Sequence, residues 1–123
     1  MTKQRKIDCH THIVNRQIST QYFDCPGGGD YALVMEFLPY MQKENMPDES
    51  WDLCDGNEKL FLCPSVDIHK DIPAQLVVIE EKMAARPGCR VVGLKIFLSY
   101  QTGRADDERM MPIYDFAAKY GLS

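Results

Sequence analysis

The chain has 123 residues, 45% of them apolar and 26% charged, with a formal charge of −4. That is the balance of one globular domain, not of a disordered or fibrous chain, and its mild acidity argues against a nucleic-acid surface, which needs a basic face to displace counterions from phosphates. No apolar run reaches the roughly 18 residues that a bilayer span requires.

Met1 to Lys6 is basic, but Ile7-Asp8-Cys9-His10 follows where a secretory leader would have its apolar core. Residues 6–13, Lys-Ile-Asp-Cys-His-Thr-His-Ile, alternate as a strand does. Asp8, His10 and His12 share one parity, so both imidazoles are expected on one side of that strand. Val14 to Asp30, with Pro26-Gly27-Gly28-Gly29, reads as a loop. Tyr31 to Asn45 reads as a helix capped by Asp30, with Leu33, Phe37, Leu38 and Met41 as its apolar stripe and Pro39 as an interruption. Met46 to Lys59 is polar and turn-rich, with room for one helical turn around Trp51.

Leu60 to Val66 predicts a second strand, apolar at both parities in its first half, as suits a parallel sheet covered on both faces. Pro64 withholds one ladder donor there. Asp71 caps a helix to Ala85, with Leu76, Val78, Ile79 and Met83 on its apolar face and Pro87-Gly88 as its stop. Arg90 to Leu98 predicts a strand with Val92, Leu94, Ile96 and Leu98 on one face and Val91, Gly93, Lys95 and Phe97 on the other. After a loop from Ser99 to Ala105, a last helix starts at Pro112, buries Ile113, Phe116, Ala117 and Tyr120, and ends at Gly121. Strands alternating with helices predict an α/β architecture with parallel strands.

Chemistry concentrates in Asp8-Cys9-His10-Thr11-His12. Two imidazoles two residues apart on a strand can approach one metal, whereas on a helix the same spacing points them apart. Neutral imidazole binds Zn²⁺ at about 2.0–2.1 Å and also suits other divalent transition metals. Asp8 is a candidate to orient one ring from behind, or else an inward polar residue at the strand; the competing account for the histidines is a surface or loop pair with no ligand. Lys95 stands alone among apolar residues, opposite the aliphatic face of its strand; the plain account is an inward lysine satisfied by a carboxylate. Asp67-Ile68-His69 reads as a turn leading into the Asp71 cap, and Gly27–Gly29 as a flexible loop because no phosphate-binding motif accompanies it. The five cysteines, Cys9, Cys25, Cys54, Cys63 and Cys89, are odd in number and form no CxxC, which predicts reduced thiols and a cytoplasmic location.

Ile-Asp-Cys-His-Thr-His resembles the opening DxHxH of the amidohydrolase superfamily, specifically its amidohydrolase-related branch (amidohydrolase family 2). The similarity continues in Phe61-Leu62-Cys63-Pro64-Ser65-Val66-Asp67. It returns in Val92-Gly93-Leu94-Lys95-Ile96 and in Asp107-Glu108-Arg109-Met110-Met111-Pro112-Ile113-Tyr114, so that it touches residues 6–13 and 60–123. The resemblance implies a metal-dependent (β/α)8 barrel with its site at the C-terminal strand ends. Such a barrel takes about 200 to 250 residues, so residues 1–123 are expected to form a single partial domain, the N-terminal part (about half) of a TIM-like barrel. By the same resemblance His10 and His12 are metal ligands, and Lys95 faces the lumen as a substrate-binding residue. The later histidines, and the aspartate that serves as ligand and proton acceptor, are expected beyond Ser123, which leaves the catalytic base unassigned.

The implied function is that of a metal-dependent hydrolase, in which metal-activated water attacks an amide, ester or lactone carbonyl. A decarboxylase or hydratase on the same fold, or a non-catalytic truncated α/β protein, are the alternatives. The implied cofactor is a divalent metal ion, zinc before others. The expected partners are a small-molecule substrate and further copies of the chain, associating through unclosed barrel edges, with neither nucleic acid nor membrane. By itself the chain is expected to lack hydrolase activity.

Overall fold

Strand β1 (Ile7–Thr11) pairs in parallel with β2 (Tyr31–Met35), and β2 with β3 (Leu60–Cys63), in a computed structural model that describes residues 4–41 and 48–123. Pro64 has no N–H for the ladder, and the strand expected over Leu60–Val66 breaks there into β3 and β4 (Ser65–Val66). β4 pairs in parallel with β5 (Lys95–Ile96). A parallel bridge between Leu62 and Val91 ties β3 to the chain entering β5. Within each of the two sheets, β1-β2-β3 and β4-β5, the strands lie side by side in chain order. The α/β reading with parallel strands holds.

Helices α1 (Arg16–Asp24), α2 (Glu49–Cys54), α3 (Ile72–Ala85), α4 (Leu98–Gln101) and α5 (Met111–Tyr120) complete the described residues, with single 3-10 turns at Pro39–Met41 and Glu108–Met110. Ala32, Val34, Leu60 and Leu62 bury one face of the sheet against Trp51 of α2, Leu76 and Ile79 of α3, and Ile113 and Phe116 of α5. On the opposite parity Tyr31, Leu33, Met35 and Phe61 are only half-buried. Among the described residues no helix is long and apolar enough to cross a membrane.

α3 forms where expected, because the Asp71 carboxylate accepts from Ala74 N at 2.9 Å and Leu76 and Ile79 repeat at helical spacing; Val78 stays exposed. α5 begins at Met111, one residue before Pro112, and ends on Gly121, whose φ of 64° is the left-handed cap glycine adopts without strain.

Four expectations are corrected. The stretch Val14 to Asp30 is not all loop: Asn15 accepts from Ile18 N at 2.9 Å and so caps α1. Tyr31 to Met35 is a strand and not a helix. Its backbone pairs on both sides, and Asp30 accepts from Lys6 N at 2.9 Å instead of capping a helix; the remainder of that expectation, residues 42–45, lies outside the described residues. Arg90 to Leu98 is not one strand, since β5 keeps only Lys95 and Ile96 and Leu98 already opens α4. The loop expected from Ser99 therefore starts as helix. Gln101 holds this early turn in place: its side-chain amide accepts from Ile68 N and donates to the buried Asp67 carboxylate.

Next to β5 the ladder continues. Ser123 N donates to Val92 O at 3.1 Å, and Leu94 N donates to Ser123 O at 2.9 Å. Gly93 permits this approach, because a Cβ at that position would lie 2.6 Å from Ser123 O. Gly93→Ala is expected to expel residue 123 and destabilise the fold by about 1–3 kcal/mol, the worth of two backbone hydrogen bonds. Urea unfolding checks it; an unchanged midpoint would mean that this ladder contributes nothing.

Candidate functional site

Between β1 and β2 the register slips: Asp8 lies opposite Ala32 but Thr11 opposite Val34, so three steps on β1 match two on β2. The irregularity turns Asp8 and Thr11 toward one face and separates Asp8 from the parity of His10 and His12. Asp8 then serves the backbone. Its carboxylate accepts from His10 N at 3.1 Å and from the Tyr22 hydroxyl at 2.9 Å. Of the two expectations for Asp8, the one that it orients an imidazole is corrected accordingly.

The two imidazoles meet. His10 Nε2 and His12 Nε2 are 3.2 Å apart, with the ring planes edge-on at 74°. His12 Nδ1 lies 2.9 Å from Met35 O. A carbonyl can only accept, so the neutral ring carries its proton on Nδ1 and presents a lone pair at Nε2. Phe37 stacks flat on the same ring, centroids 4.2 Å apart, which removes its rotational freedom. Burial holds the His12 pKa below the ordinary value, and the neighbouring charges of His10 and Lys95 push the same way against the Met35 carbonyl. A ring kept neutral is ready to act as a ligand.

Lys95 reaches the same place. Its backbone N donates to Pro64 O at 2.7 Å, and its ammonium sits 4.9 Å from the Phe97 ring centre. His10, His12 and Lys95 line one cavity of about 510 Å³, walled by Phe37, Phe97 and Tyr100. The three residues singled out by spacing and parity thus come together, the histidines at the C-terminal end of β1 and Lys95 on the two-residue strand β5.

Two imidazoles bound to one tetrahedral zinc at about 2.0–2.1 Å would place their nitrogens about 3.3–3.4 Å apart, close to the separation found. The donor pair fits a divalent metal. Among the described residues, however, no group of three His, Cys, Asp or Glu converges on one point. His69 is exposed, and its backbone N donates to Asp67 at 2.9 Å, so Asp67-Ile68-His69 is the turn expected.

The burial of two carboxylates, Asp67 and Glu36, was not expected from the sequence. Asp67 holds Gln101 and thereby positions α4, which carries the Tyr100 wall. Glu36, just after β2, accepts from Ser65 N at 3.2 Å and from the Ser65 hydroxyl at 3.4 Å, joining β2 to β4. Burial raises its pKa above the usual 4.5, only partly offset by Ser65, Lys82 and Trp51. The native state therefore keeps this proton to higher pH than the unfolded chain, and stability falls as pH rises from the ordinary carboxylate range through the raised value. Glu36→Gln is expected to stabilise the fold at pH 8 more than at pH 4; an equal effect at both would mean that Glu36 ionises normally in the fold.

No model of a protein family, no curated protein and no solved structure matches this chain.

Proposed function

We propose that His10 and His12 are ligands of a divalent metal, zinc before others, in a metal-dependent hydrolase of the amidohydrolase-related type. In this reading the chain forms the N-terminal part of a TIM-like barrel. The observation that carries it is the 3.2 Å convergence of the two Nε2 atoms, with the His12 tautomer set by Met35 O. The parallel strand order and the position of the histidines at the C-terminal end of β1 support it, since barrel enzymes build their sites at such strand ends. β2 adds support, because it places a strand between the histidine strand and β3.

Such a metal supplies acidified water as a nucleophile for an amide, ester or lactone carbonyl. The chain's own residues do the rest that can be assigned. His12 is held in one tautomer and one plane by Met35 O and Phe37. Lys95 presents a cation to an anionic substrate group, and the aromatic walls of the cavity reduce its contact with water.

A catalytic zinc normally has three protein ligands and an open position, and the described residues supply two. No carboxylate is assigned as the base, whose help alone is typically worth about 10² to 10⁴ in rate. The isolated chain is therefore expected to show only background hydrolysis of esters, lactones and amides with zinc added. It is also expected to elute from a sizing column above its 14.1 kDa monomer mass, through the edge strand β1 and the half-buried sheet face. Chelator-sensitive turnover by a well-behaved monomer would show that the ligand set is complete within these residues. The reading itself is tested by metal content after purification without a histidine tag. Stoichiometric zinc or manganese supports it, and metal-free protein that takes up none on dialysis removes it.

A further inference from the structure

The end of α2 and the turn after α3 meet backbone to backbone, where Gly56 N donates to Gly88 O at 3.0 Å. The approach is close: a Cβ at 88 would lie 2.7 Å from Asp55 Oδ1 and 3.0 Å from Gly56 N. Flanking this contact are Cys54, the last residue of α2, and Cys89. Both are free thiols buried in the same apolar cluster, placed side by side by the backbone contact of their near neighbours Gly56 and Gly88. Far apart in sequence and outside any CxxC, the pair is assembled by the fold alone. Cys9 and Cys25, by contrast, are exposed and lie against their own local carbonyls.

We propose that Cys54 and Cys89 form a dithiol site that closes to an intramolecular disulfide when a peroxide reaches it. Cys89 is 8% exposed and Cys54 fully buried, so the oxidant meets Cys89 first. The proximity of the two thiols holds Cys89 below its ordinary pKa, and the same proximity together with burial pushes the Cys54 thiol up. Cys89, the thiol the oxidant can reach, attacks as its thiolate.

Its sulfur attacks one peroxide oxygen, the O–O bond breaks, and the departing hydroxide takes a proton to become water. Cys89 is then a sulfenic acid. The Cys54 sulfur, giving up its proton, attacks Cys89 Sγ. The S–O bond breaks, the hydroxyl leaves with a proton as a second water, and an Sγ–Sγ bond forms. Two thiols have lost two electrons and two protons, and one hydrogen peroxide has been reduced to two waters. The new bond staples α2 to the turn after α3, which restricts the unfolded chain and raises the melting temperature.

The test uses the full chain with Cys9→Ser and Cys25→Ser, exposed positions whose replacement leaves the core intact. Three thiols remain. After a brief exposure to hydrogen peroxide and quenching, the denatured protein is expected to show one thiol and to have lost the mass of two hydrogens. Non-reducing digestion should yield a single linked pair of peptides carrying Cys54 and Cys89, and dithiothreitol should restore all three thiols and the original melting temperature. Three thiols surviving, a sulfinic acid accumulating at Cys89, or a cross-link through Cys63 would overturn the assignment.

Discussion

His12→Ala is expected to lower the affinity of the chain for zinc by more than the 10- to 100-fold typical of losing a residue that merely supports a ligand. The reason is geometric. Only one Nε2 would remain of a pair 3.2 Å apart, and the lone-pair direction enforced by Met35 O would go with the ring. His10→Ala is expected to behave alike, although its ring has less support from the surroundings. His69→Ala, at an exposed turn, is expected to change nothing and serves as the control. Competition with a chromophoric chelator reads all three. Wild-type affinity in either His10→Ala or His12→Ala would remove the ligand assignment.

The second large effect is on stability. Trp51→Ala is expected to cost about 3–5 kcal/mol, the usual range for deleting a fully buried large aromatic side chain. Trp51 is 0% exposed; it packs in the cluster that joins β2, β3 and α3, lies 5.8 Å beneath the Lys82 ammonium, and hydrogen-bonds Glu36. Domains of this size are stable by only about 5–15 kcal/mol in total, so the urea midpoint should fall steeply. A loss within about 0.5 kcal/mol, the range of surface substitutions, would place Trp51 outside the core.

Where local chemistry decided the structure, it was legible. Asp71, Leu76 and Ile79 specify α3 whatever packs on it, and Gly121 stops α5 through its own backbone. Tyr31-Ala-Leu-Val-Met was not legible, because a short apolar run with residues at both parities suits a buried strand and a helix equally. What decides it is pairing with β1 and β3, which no local window contains. α1 was hidden because it offers a weak stripe: Ile18 is exposed, and only Tyr22 and Phe23 pack against the core.

The candidate site divides the same way. His10 and His12 could be placed together because alternation on a strand is a local rule, and Lys95 could be placed opposite an aliphatic face for the same reason. Asp8 was misplaced because the slip in register between Asp8 and Thr11 has no glycine or proline to announce it. The bonds of Asp67 to Gln101 and of Glu36 to Ser65 join residues about thirty positions apart, and such polar pairs have no spacing signature.

Imidazole nitrogen resonances during zinc addition test the central claim most directly. With ¹⁵N-labelled histidine, one equivalent of zinc is expected to shift the Nε2 signals of His10 and His12 together. His12 Nδ1 should stay protonated on Met35 O, and His69 should not move. If neither Nε2 responds, or if zinc perturbs His69 or the cysteines instead, the paired imidazoles of β1 are not a metal site.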